Sequence, residues 1–186
     1  MTPAEFEQRV EDMVGHRIDT VRYHELLYTD AEGTLLPEPE WNWHPDFDSM
    51  EHAVELTMQD GAVFYLTWSS GFEQYNISVQ SEPLHDVSAV RVWEVTKTSR
   101  WTPLLGQKIV AADTYWSYWI VSSDGSQRID YPQDIRLAFE DGTHVYVSAF
   151  EARPDGSRYG GTDHVTVFFD DGVAKANRIG PFAPSK

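Results

Sequence analysis

Apolar and polar residues alternate along much of this chain, and the alternating pattern occurs twice. Val54, Leu56 and Met58 lead to Asp60-Gly61, after which Phe64 and Leu66 resume; Ile135, Leu137 and Phe139 lead to Asp141-Gly142, after which Val145 and Val147 resume, at an offset of 81. A period of two marks strands with one buried face, and glycine supplies the positive φ of a tight turn, so each stretch predicts a β-hairpin. Further matches flank the hairpins at other offsets. Val14-Gly15-His16-Arg17-Ile18 pairs with Leu105-Gly106-Gln107-Lys108-Ile109, Thr2-Pro3 with Thr102-Pro103, and Asn76-Ile77-Ser78-Val79 with His164-Val165-Thr166-Val167. Four features in one order predict two diverged copies of a β unit. The copies span about 2–83 and 101–177, joined by a connecting strand near 88–95 and followed by an extended tail, 178–186.

The first copy opens on a predicted helix. Thr2 is its cap, Pro3 suits the first position, Glu5 completes a capping box and Gly15 suits the exit, with Phe6, Val10, Met13 and Val14 as the apolar stripe. The second copy keeps only a stub, Thr102 to Leu105. Each unit continues as a strand, a loop, the Asp-Gly hairpin and a closing strand. The expected fold is therefore mainly β, an α+β chain with a short N-terminal helix, forming one domain. Its two units would bury their apolar faces as a pseudo-twofold sandwich or roll. Alternation identifies the buried face but not the strand order, so both arrangements stay open, as do monomer and dimer, because sheet edges can pair with another chain.

Composition narrows the function classes. With 186 residues and 41% hydrophobic content the chain can build a core. It has no run of about 18 apolar residues, so no membrane-spanning helix is expected. Glu5, Glu7, Glu11 and Asp12 near the start do not follow the basic-then-apolar order of a secretory signal, and there are no cysteines; both features predict a cytoplasmic protein. Thirty acidic against fourteen basic side chains give a charge of -16, which repels phosphates and excludes nucleic acid and anionic membrane surfaces as expected partners. The charge is uneven. Residues 1–60 hold fifteen Asp and Glu against Arg9, Arg17 and Arg22, a balance of -12. Such a region is either a solvated face or a docking surface for a basic partner.

Candidate chemistry is sparse. Ser69-Ser70-Gly71 lacks the first glycine of a nucleophile elbow, and Gly160-Gly161 runs into Thr162-Asp163, which would repel a phosphate. His16, His24, His85, His144 and His164 are scattered without a site-like spacing. His44, Asp46, Asp48 and His52 lie within nine residues and bring imidazole and carboxylate ligands together, the donor set of a divalent metal; Pro45 prevents a regular helix there, and an acidic loop is the competing explanation. Tyr115, Trp116, Tyr118 and Trp119 place rings on both faces of a predicted strand, suited either to packing or to a sugar or apolar ligand. The loop of the first copy, about Thr29 to Ser49, mixes large hydrophobic and acidic residues. Glu38, Glu40, Trp41, Trp43, Asp46, Phe47 and Asp48 are its candidate partner-binding residues, unless the tryptophans fold back as a cap.

Together, the acidic segment Pro37-Glu38-Pro39-Glu40-Trp41-Asn42-Trp43 and the duplicated hairpins, Gln59 to Ala62 and Glu140 to Thr143, resemble in character the immunity proteins that bacteria make against secreted toxins. The resemblance implies a non-enzymatic, cofactor-free inhibitor that occludes the basic cleft of a cognate toxin. A small-ligand or carbohydrate-binding β domain and a metal-dependent enzyme at the His44 to His52 cluster are the alternatives.

Overall fold

Both alternating stretches form the hairpins their periodicity predicts. The computed structural model describes residues 1–27, 32–34, 41–72, 75–82, 90–122, 127–152 and 158–183. After helix α1 (Pro3–Glu11), the first unit contains β1 (Ile18–Leu26), β2 (Phe47–Met50), β3 (Ala53–Met58), β4 (Val63–Ser69) and β5 (Asn76–Gln80). A connecting strand, β6 (Val90–Glu94), leads to β7 (Ile109–Ile120), β8 (Arg128–Phe139), β9 (His144–Ala152), β10 (Arg158–Phe168) and helix α2 (Asp171–Asn177). Two antiparallel five-stranded sheets result, ordered β5-β4-β3-β1-β6 and β2-β10-β9-β8-β7. They pack as a sandwich around one core that joins Val21, Leu56 and Leu66 to Ile135, Leu137 and Val147, with Phe6, Val10 and Met13 of α1 closing one end.

The duplication is visible in the hydrogen bonds. The Gly15 N–H donates to the Ile109 carbonyl at 2.8 Å, and the Gly106 N–H to the Ile18 carbonyl, also at 2.8 Å. Arg17 and Lys108 form the antiparallel bridge between these bonds, which puts a local twofold axis beside them. The turns agree as well: Gly61 and Gly142 adopt φ of 89° and 88°, and each preceding aspartate accepts a hydrogen bond from the N–H after the glycine.

Two segments depart from the sequence expectation. Strand β2 lies inside the predicted acidic loop, leaves its own unit and pairs with β10 of the other. All four of its residues are buried, so no alternation announces it. The tail beyond 177 is not extended over its described part. The Asp170 side chain caps α2, and a short 3-10 turn, Gly180–Phe182, follows it. Ala174 and Ile179 join Phe47, Tyr146, Phe150 and Phe168 in a second small core. The burial of these apolar faces outweighs the turn-like look of Asp170-Asp171-Gly172. None of the described helices is long and apolar enough to cross a membrane.

Candidate functional site

The end of the acidic loop, Phe47 to Ser49, folds inward, as does part of Trp41. Trp41 sets its ring edge-on to Tyr23 at 5.2 Å and packs against the main core. Phe47 and Asp48 are each only 2% exposed. Asp48 ends a buried chain in which the Trp101 indole N–H donates to the Tyr23 hydroxyl at 2.6 Å and that hydroxyl donates to Asp48 at 2.7 Å. Arg100 donates to the other Asp48 oxygen and to the carbonyls of His44 and Pro45, clamping the loop from outside. Burial raises the Asp48 carboxyl above its ordinary range, against the Tyr23 and Arg100 hydrogen bonds that lower it. Phe47 and Asp48 are thus structural and offer a partner no surface, in correction of the sequence expectation, and Trp41 is half-buried against the core. Trp43, 39% exposed, and Asp46 remain outward, while Glu38 and Glu40 lie outside the described residues.

The suggested metal cluster is not assembled. His44 stacks on Phe47 with centroids 3.8 Å apart, Asp48 is engaged by Arg100, and the His52 ring turns toward His24. Among the described residues no three histidine or carboxylate groups converge to hold a metal ion. A four-residue strand between His44 and His52 separates ligands that are close only in sequence.

The aromatic strand does border a site. On the side of the second sheet that carries α2, a cleft of about 540 Å³ is lined by Tyr115, Trp119, Tyr131, Gln133, Asp134 and Arg178, among others. This volume lies within the range of small-molecule sites. Strands β7 and β8 form the floor, where Tyr115 is paired with Asp134 and a bulge follows before Trp116 pairs with Pro132. The other wall is the exit of α2 and the 3-10 turn. That turn is fixed by the Gly180 N–H, which donates to Asp134 at 2.8 Å. Gly180 has φ of 61°, and a side-chain carbon there would come within 3.0 Å of the Tyr146 ring, so the wall requires glycine. The Tyr146 hydroxyl donates to Asp171 at 2.8 Å and ties α2 to the sheet.

Of the four nominated rings, Tyr115 and Trp119 serve the cleft most directly. Trp116 sets its ring edge-on to Phe6 and Phe72 and donates its N–H to Glu7. Tyr118 lies under the Arg128 guanidinium, 4.4 Å from the ring centre. The sequence did not single out Tyr131, Gln133, Asp134 or Arg178, which reach the cleft only through the β8 bulge and the α2 exit. Asp134 is buried; that burial pushes its carboxyl up to about 6, opposed by hydrogen bonds from Ser148 and the Gly180 N–H. With both oxygens so engaged, Asp134 organises the wall. Burial also raises the hydroxyls of Tyr115 and Tyr131.

Arg178 has a distinctive backbone. It ends α2 with φ 60° and ψ 40°, the left-handed region, where its own N–H bonds to the Lys175 carbonyl and the following Ile179 N–H bonds to Ala174. This is a Schellman ending, normally completed by glycine. An arginine costs about 1–2 kcal/mol of local strain there.

No protein-family model, curated protein or solved structure matches the chain. The fold itself is a duplicated antiparallel β-sandwich with a capped outer cleft.

Proposed function

We propose that this protein is a binding protein that takes a sugar-class ligand in the cleft between β7, β8 and the α2 exit. The observation that carries this is the lining: rings from Tyr115, Trp119 and Tyr131 beside the planar polar groups of Gln133 and Arg178. Aromatic faces suit the C–H faces of a pyranose, and amide and guanidinium groups suit its hydroxyls. The test is a tryptophan-fluorescence and calorimetric titration with a panel of mono- and oligosaccharides. Saturable binding that falls at least about tenfold in Trp119→Ala and Tyr115→Ala, and is unchanged in Trp43→Ala, supports the proposal. A silent panel, or binding indifferent to Trp119 and Tyr115, overturns it.

A second reading, an acidic protein-binding domain that occludes a basic toxin or enzyme as immunity proteins do, is favoured by one feature. The -12 balance of the first sixty residues coincides with an outward Trp43 and Asp46. Here the ligand would be a basic protein, its association weakened by salt and by Trp43→Ala or reversal of Glu38 and Glu40, with Trp119→Ala neutral.

A further inference from the structure

We infer that the ligand of the cleft is an acidic sugar, whose carboxylate or phosphate is met by Arg178; this rests on the sugar-binding proposal above. The chain has thirty acidic side chains for fourteen basic ones, so an arginine ordinarily finds a carboxylate. Arg17, Arg22, Arg100, Arg128 and Arg136 do, with Glu140, Glu55, Asp48, Asp130 and Asp113 respectively. Arg178, exposed at the cleft, has no hydrogen bond or ion pair from its side chain among the described residues.

Its backbone points the same way. Arg178 is the one non-glycine residue with positive φ among those described, at a position where glycine would be less strained. Backbone strain that persists at a concave site is a mark of function there. A guanidinium fork matches the two oxygens of a carboxylate or the edge of a phosphate.

The rest of the cleft leaves that role open. Asp134, the carboxylate among the described lining residues, is already engaged by Ser148 and the Gly180 N–H. The acidic surplus does not forbid an anion at this place either: the lining comes from residues 115–183, and -12 of the -16 belongs to residues 1–60.

The experiment compares three pyranosides by calorimetry at pH 7.5: methyl glucoside, methyl glucuronide and glucose 6-phosphate. Each is titrated into the wild type, Arg178→Gln, Arg178→Lys and Trp119→Ala. The wild type should bind at least one of the acidic sugars about tenfold or more tightly than the glucoside, the size expected of a charge-assisted pair. Preference for the glucuronide identifies a carboxylate, and preference for the 6-phosphate a phosphate. Arg178→Gln should weaken the acidic sugars about tenfold more than it weakens the glucoside, Arg178→Lys should fall between, and Trp119→Ala should weaken all three. Equal wild-type affinity for the three, or equal losses for all three in Arg178→Gln, overturns the inference and leaves the sugar proposal standing. If none of the three sugars binds, and the wider panel is silent too, both fall. Thermal unfolding of the arginine variants checks that the cap remains folded.

Discussion

Asp134 carries a charge cost that the solvent does not relieve. Its carboxyl titrates near 6 when folded, above the ordinary 3.8 it regains on unfolding. Between these values the folded state holds a proton that the unfolded chain has released, so stability falls as pH rises from about 4 to about 6. The loss through this group is on the order of 3 kcal/mol. Asp134→Asn should remove that fall, as read from urea unfolding at pH 4.5 and 7.5; a variant that keeps the full difference would place the titrating group elsewhere. A comparison of the units shows why such a residue is hard to recognise. The cross-strand pair Arg22–Glu55 of the first unit recurs in the second as Asp113–Arg136, with the charges exchanged. Two residues further on, His24 opposite Ala53 becomes Tyr115 opposite Asp134. The outward-facing positions are legible in the alternation, but their chemistry diverged independently in each copy. In the second unit the C-terminal cap closes over this face, and its Gly180 N–H donates to Asp134.

The hairpins are the elements the duplication preserved best. A methyl added at Gly61 or Gly142 meets nothing within 4 Å, so the cost of either substitution comes from the positive φ alone. Gly61→Ala and Gly142→Ala should each destabilise the protein by about 1 kcal/mol, and by similar amounts, as measured by chemical denaturation. A large difference between them would mean that the turns are not equivalent. Helix α1 was also legible, because a capping box is a local device: Glu5 and Thr2 exchange hydrogen bonds in the predicted way. Strand β2 was not, since four residues buried on every side within an acidic, proline-punctuated segment carry no periodic signal. For the same reason Phe47 and Asp48, read as surface anchors, became part of the scaffold.

At the scale of the molecule, the two copies are not two domains. One continuous core is built from α1 and both sheets, and β2 crosses from one unit to the other's sheet. Unfolding either unit would expose the inner face of its partner. Thermal or urea denaturation should therefore give a single transition, with tryptophan fluorescence and far-ultraviolet circular dichroism coincident. Separated curves would show that the units unfold one at a time. The cleft belongs to this scale as well: its floor is a hairpin and its far wall is a helix exit about forty residues later in the chain.

The amino-acid sequence by itself determined the repeat, the hairpins, the helix start and the faces to be buried, because periodicity, turn glycines and caps act within a few residues of one another. It also nominated the Tyr115 to Trp119 strand, whose rings could be seen but not oriented. Tertiary structure alone decided the strand order, the crossing of β2, the burial of Phe47 and Asp48 and the meeting of Arg178 with Tyr115, Tyr131 and Trp119. Those outcomes depend on which buried face finds which partner across the fold, a competition in packing energy that no short stretch of residues encodes.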